Sequence, residues 1–293
     1  MLSGLAPAKI NLFLHVGAVA ADGYHPLCGV VAFADVGDRV SIERADGLSL
    51  SVVGPFSAGL NGPDNLILKA LRALGEAAGV GEPGLRATLD KQLPVAAGLG
   101  GGSSDAATAL RLAVTVLGLD MDDDRLEHIA TVAGSDAPMC VRAQPAWSEG
   151  RGDVLTPTPE LPALHAVLAN PGAPSSTGAV YRAYDAGPGA SVERPAGPAD
   201  WRTQTVIDWL AGQRNDLQDP AVAQTPAIGL ALSEMTAAPG VRLTRMSGSG
   251  ATVFGLFDSA EAAKSAAERL KSDHGDWWVT AAVLGHPLAK GAL

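Results

Sequence analysis

Near the start of the chain Ile10, Leu12, Leu14 and Val16 alternate with Lys9, Asn11, Phe13 and His15, the two-residue period of a half-buried strand. That period sets Lys9 and Asn11 on one face, away from the aliphatic stripe. A turn at Asp22-Gly23 leads to expected strands over 27–34, 39–44 and 48–53. The cluster Asn61-Gly62-Pro63-Asp64 is a turn. After it Ile67, Leu71, Leu74 and Ala78 recur at helical spacing, predicting an amphipathic helix over 65–78. A strand over 85–92 then enters a glycine-rich loop, followed by a helix over 104–117. The acids Asp122, Asp123 and Asp124 suit the start of another helix, whose dipole favours negative charge there.

The second half predicts a strand over 165–169 and a helix after Ser175-Ser176-Thr177. Residues 187–198 are rich in glycine and proline and read as a surface loop. Helices over 206–211 and 226–236, strands over 241–246 and 252–257, a helix over 260–272 and a strand over 277–284 complete the pattern. Counted with its helices as layers, this half reads β-α-β-β-α-β, a ferredoxin-like sandwich. The domain border is expected near Thr156-Pro157-Thr158-Pro159, giving domains over 1–157 and 158–293.

Composition narrows the class. Of 293 residues 47% are hydrophobic, and Gly 35 and Pro 20 stay below low-complexity levels. No stretch approaches the roughly 18 apolar residues of a membrane span. No signal peptide is expected either, because the N-terminal apolar run is short and carries Lys9. A formal charge of −10 with no basic stripe argues against nucleic-acid binding. It also means that any phosphorylated ligand must be held by local backbone donors rather than by global attraction. Cys28 and Cys140 make neither a disulfide framework nor a metal spacing, as suits a reduced cytoplasmic protein.

Four features carry chemistry. In Pro94-Val95-Ala96-Ala97-Gly98-Leu99-Gly100-Gly101-Gly102-Ser103-Ser104-Asp105 four glycines fall within five positions, between a strand and a helix. Glycine lets the backbone approach an anion, and the helix N-terminus presents free N–H groups, so the run reads as a polyphosphate cradle rather than a bare connection. It lacks the Gly-Lys-Ser/Thr ending of a Walker A loop and the third glycine of a dinucleotide fingerprint. Lys9, one of six lysines, interrupts an aliphatic stripe; a lysine there either snorkels or stabilises charge in phosphoryl transfer. Asp136, in Gly134-Ser135-Asp136-Ala137-Pro138, reads as a helix cap, a hydroxyl-orienting carboxylate, or both. Ser247-Gly248-Ser249-Gly250-Ala251-Thr252 exceeds what a tight hairpin requires and would let a ligand come close to the backbone.

Pro7-Ala8-Lys9-Ile10-Asn11-Leu12, the run 94–104 and Met246 to Thr252, in that order, resemble the GHMP kinases. The likeness extends through Asp64-Asn65-Leu66, Lys91-Gln92-Leu93-Pro94, Gly134 to Pro138 and Asn215-Asp216-Leu217, nearly the whole chain. Lys9 to Leu14 followed by Asp22-Gly23-Tyr24-His25 points to the member that acts on a cytidine diphospho-alcohol, not to mevalonate, homoserine or galactose kinases. Ala96-Ala97, where the family often has glycine, and Arg151, between Gly150 and Gly152, depart from the pattern.

The resemblance implies an α+β kinase of two domains, an N-terminal ribosomal-protein-S5-like one and a C-terminal ferredoxin-like one, with the site in the cleft between them. It implies ATP along 94–104, with Asn65 and Lys91 toward the adenine. Mg²⁺ is expected with the ATP; no protein ligand can be named for it, and Ser104 is the best candidate. Asp136 is implied as base or orienting carboxylate and Lys9 as the charge that stabilises the alkoxide. For the cytidine substrate the implied contacts are Asn11, Tyr24, His25, Thr177 and Tyr181, the two tyrosines sandwiching the base and His25 reading its edge. The product is a 2-phosphate in non-mevalonate isoprenoid precursor synthesis. A kinase for another small alcohol, or an inactive nucleotide-binding regulator on the same fold, are the alternatives.

Overall fold

The computed structural model describes residues 1–158, 161–190 and 192–285. Pro159 of the expected border, Ser191 of the expected loop and residues 286–293 lie outside the described residues.

The first half contains β1 (Leu2–Val16), β2 (Leu27–Arg44), β3 (Ser49–Val53), α1 (Leu66–Ala77), β4 (Leu85–Asp90), α2 (Gly101–Leu117), α3 (Asp123–Ala130), a 3₁₀ turn (Thr131–Ala133), α4 (Ala137–Arg142), β5 (Ala146–Gly150) and β6 (Val154–Pro157). The second contains β7 (Leu164–Asn170), α5 (Thr177–Tyr184), α6 (Thr203–Ala211), α7 (Gln218–Gln224), α8 (Pro226–Thr236), β8 (Val241–Met246), β9 (Val253–Phe257), α9 (Ala260–Asp273) and β10 (Trp278–Leu284). In the second half the strand order β10-β7-β9-β8 is that of a ferredoxin-like sheet. Its helices α8 and α9 bury Ile228, Met235 and Leu270 against one face, on Val167, Val253 and Val279.

Strand β2 organises the first half. It pairs antiparallel with β1 along most of its length, with β5 over 27–31 and with β4 over 39–44. Residues 35–38 are not the break expected between two strands: β2 runs on through them, Asp38 and Gly37 pairing with Ala6 and Pro7 of β1 before the register shifts between Pro7 and Lys9. Leu284 of β10 pairs with Ala34 of β2, joining the two sheets.

Strand β1 is buried on both faces rather than half-buried, Lys9 and Asn11 included. Its register shifts a second time between Asn11 and Phe13. The irregularity splits the aliphatic stripe, because an extra residue turns the following side chains to the other face. Ile10 and Leu12 pack with Phe13 in one cluster, while Leu14 and Val16 pack in another.

Candidate active site

The run after β4 folds as a left-handed turn entering α2. Ala96, Gly98 and Gly100 have φ of 52°, 74° and 59°. The helix begins at Gly101, three residues earlier than expected, with Gly100 as its N-cap and no side-chain cap. Neither Ser104 nor Asp105 serves as a cap, so the first N–H groups of α2 face the cleft without a side-chain acceptor. A methyl at Gly98 would stand 2.3 Å from the Ser247 carbonyl oxygen, so only glycine fits. That contact adds to the expectation for the 247–252 loop, whose Gly248 and Ser249 also line the cleft. The close backbone approach there is to the glycine run itself: Ser247 Oγ donates to Gly98 O at 2.9 Å and Thr252 N to Ala97 O at 3.1 Å.

Lys9 is tied to the same place, its N–H donating to Leu99 O at 2.8 Å. The Nζ atom donates to Asn11 Oδ1 at 2.9 Å and lies 3.0 Å from Asp136 Oδ2. Asp136 stands at the N-cap position of α4, but its side chain makes no capping bond. Its carboxylate is turned to Lys9 instead. A methyl placed at Gly100 would lie 3.2 Å from Lys9 Cε and 3.7 Å from Asp136 Oδ2. The ion pair and the glycine run therefore share one wall of a cleft of about 1320 Å³.

Lys91 is placed differently from a free adenine contact. Its buried Nζ pairs with Asp38 and, at 2.7 Å, with Asp105 Oδ2. Burial alone would lower the Lys91 pKa, but the two carboxylates outweigh it and hold it above the usual lysine value. Burial drives Asp105 well above the usual carboxylate range, although the Lys91 charge pulls against it. Asp38 Oδ1 also accepts from Leu93 N at 2.8 Å, fixing the chain that enters the glycine run. Asn65 caps α1, its Oδ1 accepting from Ile67 N at 2.9 Å, and lines the same cleft. The buried hydroxyl of Ser104 has no partner among the described residues.

Opposite the glycine run, Thr177 Oγ1 and Ser249 Oγ are 2.7 Å apart. The His25 and Tyr181 rings lie 4.8 Å apart. Burial, with the Asp136 charge adding to it, pushes the Tyr181 phenol up to about 12. Tyr24 is exposed, its ring covered by the Arg151 guanidinium at 4.3 Å, and Arg151 pairs with Asp22. The structure thus brings Lys9, Asn11, Asp136, Thr177, Tyr181 and His25 around one space, with Tyr24 at its rim under Arg151.

Two segments match family models, 65–144 the GHMP kinases N terminal domain and 205–276 the GHMP kinases C terminal. A 4-diphosphocytidyl-2-C-methyl-D-erythritol kinase of Caulobacter sp. (strain K31) is 49% identical over 98% of this chain and 99% of its own. The chain belongs to the GHMP kinases. A Dinoroseobacter shibae enzyme of the same name is 47% identical, over 97% of this chain and 95% of its own. A crystal structure of 4-(cytidine 5'-diphospho)-2C-methyl-D-erythritol kinase superposes with a TM-score of 0.78 at 33% identity, covering 97% of this chain and 99% of that one. A mevalonate kinase structure, 12% identical with a TM-score of 0.69, shares the fold.

Two residues that support this GHMP kinase cleft had no structural role assigned from the sequence: Arg245 was not singled out, and Asn215 stood only in the Asn215-Asp216-Leu217 match. Arg245 is buried and donates to Leu12 O, Leu210 O and Gln213 O. Leu12 lies in the irregular stretch of β1, where the ladder leaves a carbonyl to be satisfied. Burial lowers the Arg245 guanidinium to about 10. Asn215 donates to Met246 O and Gly248 O, both at 2.8 Å, and so fixes the loop that backs the glycine run. For Arg245, a charge among the apolar residues of a strand is the only trace such a role leaves in a sequence.

Proposed function

We propose that this kinase transfers the γ-phosphoryl group of ATP to the 2-hydroxyl of 4-diphosphocytidyl-2-C-methyl-D-erythritol, in the cytoplasm, as a step of non-mevalonate isoprenoid precursor formation. The observation that carries the reading is the Lys9–Asp136 pair, 3.0 Å apart, set against Gly100 at the mouth of an anion-binding helix terminus. Two relatives with nearly half their residues in common bear that enzyme's name.

The residues divide the work by position. The N-terminus of α2 and the turn 96–100 supply N–H groups and a positive dipole end for the phosphates. Asp136 accepts or orients the hydroxyl proton, and the Lys9 ammonium offsets charge growing on the attacking oxygen. Asn11 holds the lysine in place through its Oδ1. Asn65 belongs on the adenine side; Lys91, locked between two carboxylates, supports the loop from below. Thr177, Tyr181, Tyr24 and His25 border the side left for the cytidine. Mg²⁺ bound with the ATP would supply charge neutralisation at the transferred phosphate. The Ser104 hydroxyl is unpartnered among the described residues, but it is fully buried and does not line the cleft, so it does not fit the ion as it stands. On this reading 1–157 forms the nucleotide-binding domain and 158–293 closes the cleft.

The test is an assay with purified protein, ATP, Mg²⁺ and the cytidine diphospho-alcohol, the phosphate position read by NMR. Phosphorylation of the 2-hydroxyl is expected. Turnover of mevalonate or homoserine in its place would reject the substrate, and ATP binding without any turnover would reject the enzyme.

A further inference from the structure

Helix α5 ends on Asp185, whose charge stands at the negative end of the helix, where a carboxylate is disfavoured. What it meets there is His25. Asp185 Oδ1 lies 2.7 Å from His25 Nε2, across 160 residues of sequence. Ordinary surface ion pairs contribute little, but this ring is not at the surface: the His25 side chain is 10% exposed. It is enclosed by Tyr181, at 4.8 Å between ring centroids, and by Tyr184, at 6.0 Å. Tyr184 is itself fixed, its hydroxyl donating to Val16 O and accepting from Ala190 N. One helix of the second half therefore grips a histidine supplied by the first.

A carboxylate only accepts, so the bond requires the hydrogen on Nε2 and leaves Nδ1 as the free position. We infer that Asp185 is a positioning residue for pyrimidine recognition: by holding Nε2 it fixes the tautomer and orientation in which His25 meets the base. This rests on the cytidine diphospho-alcohol as substrate. In that role Asp185 acts only through His25 and touches no reacting atom.

The experiment is a double-mutant cycle read in kinetic constants. Wild-type enzyme is first shown to phosphorylate the cytidine substrate; failure there would overturn the proposed function and this inference together. Given that activity, Asp185→Ala is expected to raise KM for the alcohol about tenfold, the scale of one lost bond to a charged group. KM for ATP should stay at the wild-type value, and kcat should change less than KM. His25→Ala should raise KM for the alcohol at least as much, and adding Asp185→Ala to it should change KM by less than about twofold, because coupled residues are not additive. Asp185→Asn, whose amide oxygen still accepts from Nε2, should recover most of the affinity. An unchanged KM in Asp185→Ala would overturn the inference while leaving the substrate assignment intact. A further tenfold loss in the His25→Ala background, or a parallel rise in KM for ATP, would overturn it too, since Asp185 would then act on the ligand or the fold directly.

Discussion

Asp136 and Lys9 share one short contact beside the glycine run. Asp136→Asn is expected to keep ATP affinity by calorimetry while kcat drops by roughly 10²-fold or more, the scale of a positioned base. Lys9→Ala should lose turnover similarly, because its charge matters most in the transition state. A near-normal rate in either variant would remove the pair from the chemistry. His15 tests a different consequence of burial. It is 4% exposed, its Nε2 has no partner among the described residues, and burial, reinforced by Arg214, lowers its pKa. As pH falls through about 6.5 the unfolded chain takes up this proton while the folded one does not. Stability should therefore fall on acidification below about pH 6.5, by up to about 1.4 kcal/mol per pH unit from this group. Urea unfolding of His15→Phe should show a flatter dependence in that window; an identical slope would clear His15 of the effect. Lys9 was legible in the sequence because a lone charge inside an aliphatic stripe stands out, although the residue alone left snorkelling open and only the three motifs together pointed to chemistry. Asp38 and Asp185 were not legible, because a lone aspartate looks ordinary until its partner, 53 residues further on or 160 residues back, is beside it.

Among the elements, periodicity located most helices and strands, since apolar faces must recur at 3.6 or 2 residues wherever one side is buried. It failed where context decides. The short strands β5 and β6 carry polar Ser148, Glu149 and Thr156, and they form because β2 offers an edge to pair with. Helix α7 has only seven residues, below the length at which a pattern shows. The glycine run was legible as a cradle, but not that its turn is left-handed at Ala96, Gly98 and Gly100 and helical at Gly101 and Gly102. That ordering selects the informative substitution. Gly98→Ala meets both a positive φ and the Ser247 carbonyl at 2.3 Å. It should raise KM for ATP at least about tenfold and destabilise the fold by at least ~1 kcal/mol, the left-handed penalty alone. Gly102→Ala points only at Leu66 Cδ1, 3.2 Å away on a flexible side chain, and should be milder in both measurements. Wild-type ATP kinetics in Gly98→Ala would show that the turn need not hold its shape to bind phosphate.

At the scale of the molecule, the domain border drawn from Thr156 to Pro159 separates strands but not the core. One hydrophobic cluster takes Ile10, Phe13 and Trp147 from the first half and Leu168, Phe254 and Leu284 from the second. A chain of residues 1–157 alone would expose its share of that cluster, so it should give no cooperative thermal transition and bind a hydrophobic dye. A sharp transition with native-like near-ultraviolet dichroism would show instead that the halves fold independently. Nothing in the sequence announces this sharing, because each strand displays only its own alternation, not which partner covers it.

The edge of β1 away from β2 carries a consequence for how the protein is made. Along one side the strand pairs with β2, which leaves the ribosome soon after it. Its other side is closed by Leu99, Arg214 and Ser247 through bonds to Lys9, Leu14 and Asn11. At 5–20 residues per second, roughly ten to fifty seconds separate the synthesis of β1 from that of Ser247. Throughout that interval the nascent chain presents an incompletely paired, strongly apolar strand. Lys9, which we place in phosphoryl transfer, is translated well ahead of Ser247, yet its strand is closed only once Ser247 has emerged. Chaperone occupancy on the emerging polypeptide should accordingly persist until the 247–252 loop is out.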